Sequence, residues 1–262
     1  MTIVLIAIVL YLAAAGLLVV GVRRDTGRMP RPWWLPAAAA VVLHAAAHLV
    51  AWRASGTADL HFFAALSLVG LGMAALTTLV GAAGRMGALG VVVFPLAALA
   101  LVGYHRHGPV PSIALDWRLQ LHAWFALLAY ATLAVAALLA VMLWAQERAL
   151  RRRDFHRWLR ALPPLVELET LLFRTIAVGF VLLTATLLTG VLFVQNLLTQ
   201  DLVHKTVLSV LSWLAFGALL VGRWRYGWRG AVAVRWTLMA MALLVLAYFG
   251  SKFVLELVLG RA

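Results

Sequence analysis

The sequence predicts an all-α, polytopic membrane helix bundle of about eight transmembrane helices with both termini outside, and three observations carry that reading. Of 262 residues, 65% are hydrophobic and 12% charged, and the mean hydropathy is +0.99. A water-soluble fold of this length would leave too much apolar surface exposed. Apolar runs of about 20 residues, the length that crosses a bilayer as a helix, recur along nearly the whole chain. The basic residues fall between those runs and alternate from loop to loop, which is how a membrane protein fixes its orientation.

Taken in order, the spans lie near 2–22, 34–53, 60–80, 86–104, 119–144, 172–195, 203–222 and 231–257. The first ends in Arg23-Arg24 without a preceding basic region or a small-residue cleavage pattern, so it reads as a retained helix. The segments after spans one, three, five and seven hold 16 of the 22 basic residues, among them Arg23, Arg24, Arg28, Arg85, Arg148, Arg151, Arg223 and Arg229. The positive-inside rule therefore places these segments in the cytoplasm. Trp33, Trp34, Trp144, Trp224 and Trp228 fall near that boundary, and Trp52, Trp117 and Trp124 near the other, as interfacial belts do. Trp213 falls inside span seven and is the exception. Gly81, Gly84, Gly87 and Gly90 recur every three residues and read as a small-residue packing face.

One transmembrane domain is expected over 1–262, since no Gly/Ser/Pro-rich linker or soluble-length segment divides the runs. Its longest inner loop, 145–171, extends span five as a basic helix until Pro163-Pro164 breaks it. From Val166 to Phe173 a short helix is expected to lie on the inner surface. Glu167 and Glu169 are two apart and point to different helix faces, so they read as solvated, arginine-paired carboxylates rather than a shared acid/base site.

Several functions lose their machinery. A net charge of +13 taken alone points to nucleic acid, but its loop-by-loop distribution is that of membrane topology, so no nucleic-acid partner is expected. There is no cysteine, which removes disulfides, thiolate metal sites and covalent C-x-x-C-H haem attachment. No Walker P-loop, H-E-x-x-H or G-x-S-x-G motif is present. Acidic residues within the spans are nearly confined to Glu256, which leaves little for a proton-coupled carboxylate relay. No reaction chemistry is visible, and the chain reads as a non-enzyme.

The eight histidines carry the most functional information. His61, His105, His107, His122 and His204 lie in or beside outward loops, His44 and His48 lie in span two, and His156 alone is on the inner side. His44 and His48 are four apart, so they face the same way one turn above each other. Two imidazoles so placed either share a metal or hydrogen-bond an adjacent helix, and ionisable groups in hydrocarbon make function the default. His105-Arg106-His107, bounded by Gly103 and Pro109, reads as a solvated loop.

The second half carries a resemblance. The run 165–180, then Leu182-Leu183-Thr184 and Leu188-Thr189-Gly190, the run 205–213 ending in Ser212-Trp213, Gly227-Trp228-Arg229-Gly230 and Tyr248-Phe249-Gly250-Ser251 together resemble the cytochrome c assembly family. The likeness covers roughly 115–258 and is closest to the YpjD/HemX branch of small, roughly eight-helix inner-membrane proteins. It implies a multi-pass protein of the bacterial inner membrane that handles haem b, held non-covalently, at the outer face. It also implies work beside other cytochrome c biogenesis or haem-synthesis proteins. In larger relatives histidines at outer helix ends ligate the iron, and His122 matches one such position. A tryptophan-rich segment is expected around 196–205, where this chain has no tryptophan, and a second histidine is expected near Val221 or Gly222, where there is none. His204, His48, His44 and His61 are the remaining axial candidates. The competing readings are a membrane scaffold or regulator whose contact surface is the basic segment 146–174, and a small metal or solute transporter served by His44 and His48.

Overall fold

A computed structural model describes residues 1–23, 31–83, 87–108, 116–152, 163–193 and 200–253. Every regular element there is helical: α1 (Thr2–Arg23), a short 3-10 turn (Arg31–Trp33), α2 (Trp34–Ser55), α3 (Phe62–Ala83), α4 (Gly87–His107), α5 (Trp117–Arg151), α6 (Leu165–Phe193), α7 (Gln200–Tyr226) and α8 (Gly230–Val245), which runs on into a π turn (Leu246–Gly250). Among the described residues eight helices are long and apolar enough to cross a membrane. In hydrocarbon every backbone N–H and C=O must find its partner within the chain, and a helix does this locally.

The chain gathers into two compact units, one built from 1–114 with 149–164 and the other from 115–148 with 165–262. In the first unit α1 packs on α2 and α4, and α3 on α4. Its core is Tyr11, Leu18, Leu89, Phe94 and Leu101, with the Tyr11 and Phe94 rings stacked at 5.9 Å. The expected glycine face is partly realised: a Cβ on Gly90 would lie 2.7 Å from Leu18 Cδ1, and one on Gly81 2.8 Å from Trp33 Cη2. Gly84 lies outside the described residues. Gly56, at φ +73°, ends α2 with its N–H on the Trp52 carbonyl at 2.8 Å, a left-handed cap that favours glycine.

In the second unit polar side chains tie the helices together across the apolar interior. Tyr130 on α5 donates to the Leu244 carbonyl, Ser212 on α7 donates to Ala240 O on α8 at 2.8 Å, and Trp213 Nε1 donates to Thr184 Oγ1 on α6 at 2.9 Å. The intramembrane tryptophan is thus an interhelical donor, with its ring stacked on Phe180 at 5.5 Å.

Three expectations need correction. The stretch from Val166 to Phe173 is not a separate surface helix but the opening turns of α6, which runs unbroken from Leu165 to Phe193. Pro163-Pro164 stand immediately before Leu165 and leave the helix that follows intact, since proline is tolerated at a helix start. Glu169 is not solvated but buried, accepting Gly230 N–H at 2.9 Å and Arg229 Nε–H at 3.1 Å. It caps α8 from the side of α6, and only Glu167 is exposed. His105, Arg106 and His107 are not a loop but the last turn of α4, which ends only at Gly108 (φ +69°), whose N–H returns to Tyr104 O at 3.0 Å.

Candidate functional site

In the first unit the structure brings together three of the expected histidines. His44 and His48 are fully buried on α2, stacked at 5.5 Å, and both Nε2 atoms meet the hydroxyl of Ser67 on α3, at 2.9 and 3.0 Å. The other nitrogen of His44, Nδ1, meets the Tyr11 hydroxyl of α1 at 3.2 Å. Both His44 nitrogens are therefore engaged. His48 lies flat against Tyr104 of α4, with centroids 4.3 Å apart, and His61 stacks on the same ring at 6.0 Å. His61 sits just before α3, where its ring Nδ1 meets Asp59 Oδ1 at 2.8 Å and its backbone N–H reaches the same oxygen at 3.1 Å. Among the described residues no group of three or more His, Asp or Glu is placed to hold a metal ion. The sequence singles out the histidines but not Tyr11, Ser67, Asp59 or Tyr104. A serine inside the apolar run of α3 was the available signal.

His122 lies in the second unit, near the start of α5. Its Nδ1 meets the Thr186 carbonyl at 3.0 Å and Thr189 Oγ1 at 3.2 Å. A carbonyl only accepts, so Nδ1 carries the proton. The Thr189 hydroxyl spends its own proton on the Ala185 and Thr186 carbonyls and turns a lone pair to the ring. In the neutral imidazole Nε2 must then hold the lone pair. Gly190 makes room for this: a Cβ there would lie 3.2 Å from His122 Cε1. Thr189 and Gly190 of the Leu188-Thr189-Gly190 motif thus both border His122.

Around this end of α5 the surface is apolar and aromatic. Trp117, Leu121 and Trp124 are exposed, and Trp117 packs against Phe193 of α6 at 6.1 Å. Arg118, one turn before His122, holds its guanidinium over the Trp117 and Phe193 rings, at 5.6 and 5.9 Å. His204 is exposed on α7, and His105 and His107 are exposed at the end of α4. His156 and Glu256 lie outside the described residues.

Comparison with known proteins assigns the chain to a family. The family model described as Cytochrome C assembly protein matches residues 34–259. The chain is 31% identical over 258 residues to the inner membrane protein YpjD of Escherichia coli strain K12, covering 97% of this chain and 98% of that protein. It is 39% identical over 157 residues to a 28.8 kDa protein of Azospirillum brasilense, covering 58% of this chain and 56% of that one. Protein HemX of Brevibacillus brevis is 26% identical over 143 residues, 54% of this chain and 53% of its own. No solved structure matches. With most of its length inside the family match and eight candidate spans, this chain is a multi-pass bacterial inner-membrane protein that belongs to the cytochrome c assembly family.

Proposed function

We propose that this chain binds haem b non-covalently through His122 at the periplasmic face of the inner membrane, as a non-catalytic member of the cytochrome c assembly apparatus. The observation that carries the reading is the hydrogen bond from His122 Nδ1–H to the Thr186 carbonyl. Histidines that ligate a metal commonly donate their second ring N–H to a carbonyl or carboxylate, which fixes the tautomer and makes the ligating nitrogen more basic.

The surroundings fit the group. A porphyrin needs an apolar wall, supplied by Trp117, Leu121 and Trp124, and its carboxylates need a cation, for which Arg118 is one helical turn away. When bound, haem supplies an iron whose potential and reactivity follow from its axial ligands and their hydrogen bonds. The residues of this chain orient the imidazole, keep Nε2 unprotonated and offer a face for the ring. His204, the exposed histidine of the same unit, is the second-ligand candidate. His44 and His48 are assigned elsewhere, because their Nε2 atoms are held by Ser67. Haem delivery or synthesis proteins are the partners that this role implies.

Haem titration of the detergent-purified protein, followed by absorption, tests the reading. Wild type is expected to give a saturable Soret band, His122→Ala to lose more than tenfold in affinity, and His105→Ala to match wild type. Equal binding by all three would remove His122 from the site, and no saturable band in wild type would leave the family membership without haem binding.

A further inference from the structure

The first unit contains a buried polar chain that haem binding at His122 does not use. From α1 it runs Tyr11 hydroxyl, His44, Ser67 hydroxyl, His48, with successive distances of 3.2, 2.9 and 3.0 Å. From the turn between α2 and α3 comes a second piece, Asp59 to His61 at 2.8 Å. On the two pieces and on the neighbouring Tyr104 are three buried polar atoms with no hydrogen-bond partner among the described residues: His48 Nδ1, His61 Nε2 and the Tyr104 hydroxyl. His48 is 1% exposed and Tyr104 5%. Both imidazoles stack on the Tyr104 ring, at 4.3 and 6.0 Å, so the two pieces flank one aromatic side chain.

Buried polar atoms left unpaired are costly, and a polar site with two to four such atoms is where a structural water is held. Asp59 Oδ1 accepts a hydrogen bond from His61 Nδ1–H, so the neutral ring presents a lone pair at Nε2. Ser67 has one proton for two imidazoles. It donates to one Nε2 and accepts from the other, so the tautomers of His44 and His48 are locked as complements. When Ser67 donates to His44, His48 carries its proton on Nε2 and turns a lone pair at Nδ1 to the orphan site. When Ser67 donates to His48, the positions reverse and Nδ1 of His48 becomes a donor. Each member both gives and takes a proton, which is the requirement for a relay.

We propose that Asp59, His61, a water held with Tyr104, His48, Ser67 and His44 form a proton path leading from the α2–α3 turn to Tyr11 inside the span. Starting with Ser67 donating to His44, a proton taken up at His61 Nε2, with the Asp59 carboxylate as its counter-charge, passes through the water to His48 Nδ1 and releases the Nε2 proton to Ser67. Ser67 passes its own hydroxyl proton to His44 Nε2, and His44 then holds a proton on each nitrogen, one of them on the Tyr11 oxygen. No atom is lost, and the reverse sequence returns the proton. The inference stands independently of haem.

The test is 15N NMR of the full-length protein labelled at histidine and held in lipid nanodiscs, with exchange of the ring N–H groups into heavy water as the readout. In wild type the Nε2-protonated fractions of His44 and His48 are expected to sum to one, and both rings to exchange in spite of their burial. Ser67→Ala should slow His44 exchange at least tenfold while His48 keeps its rate, and Ser67→Thr, which keeps the hydroxyl, should restore it. His61→Gln should slow both. The proposal is overturned by the same tautomer fixed on both rings, a measurement on wild type alone that needs no variant to fold. His44 exchange indifferent to Ser67→Ala and His61→Gln would overturn it equally.

Discussion

Glu169→Ala is expected to lower the thermal midpoint of the detergent-solubilised protein, with a loss of about 2 kcal/mol in unfolding free energy. Its carboxylate accepts the first N–H of α8, from Gly230, and the Arg229 guanidinium, with Arg223 Nη1 3.8 Å away. Truncation orphans the Gly230 N–H at a helix start. Most of the loss should come from that cap, because the Arg229 side chain is 58% exposed and can turn to water, where surface pairs are worth little. Glu169→Gln keeps an acceptor for Gly230 and should recover part of the loss. An unchanged midpoint in both variants would show that the buried carboxylate contributes nothing to holding α8 on α6.

Gly179→Val is the second large effect. Gly179 lies where α6 crosses α5, and a Cβ there would sit 2.5 Å from Leu133 Cδ2 and 2.7 Å from its Cγ. Leu133 is fully buried, so it has no free direction in which to retreat. Overpacking of this kind costs about 1–3 kcal/mol, and small residues are what allow helices in a membrane to approach closely. The added methyl groups on a β-branched side chain place the expected loss at the upper end of that range. Gly16→Ala is the control. Nothing lies within 4 Å of a Cβ at Gly16, so the better helix propensity of alanine should leave stability equal or raised by up to about 1 kcal/mol. Equal midpoints for the two variants would contradict the close approach of α5 and α6.

Much of the helical plan was legible in the chain because the bilayer imposes a simple requirement of length and apolarity, and the expected spans fall on the observed helices within a few residues at most ends. Where the reading failed, the deciding partner was remote in sequence. Glu169 looked solvated because nothing near it shows that Gly230, 61 residues on, brings an N–H to its oxygen. His105 to His107 looked like a loop because the helix end depends on the positive φ of Gly108 rather than on the charged residues before it. The His44 and His48 pair was visible from the spacing of four, yet its meaning depends on Tyr11, Ser67 and Tyr104 from three other helices. His122 stood out by resemblance alone. Its Thr186 and Thr189 partners, which fix the tautomer, become apparent only when α5 and α6 lie side by side.

The most direct test of haem ligation by His122 is chemical rescue. His122→Gly should yield a monodisperse protein that retains little haem, and adding imidazole should restore the wild-type Soret band by filling the space of the missing side chain. A His122→Gly protein with the wild-type spectrum before imidazole is added, or one that stays without haem at saturating imidazole, would contradict ligation by this residue.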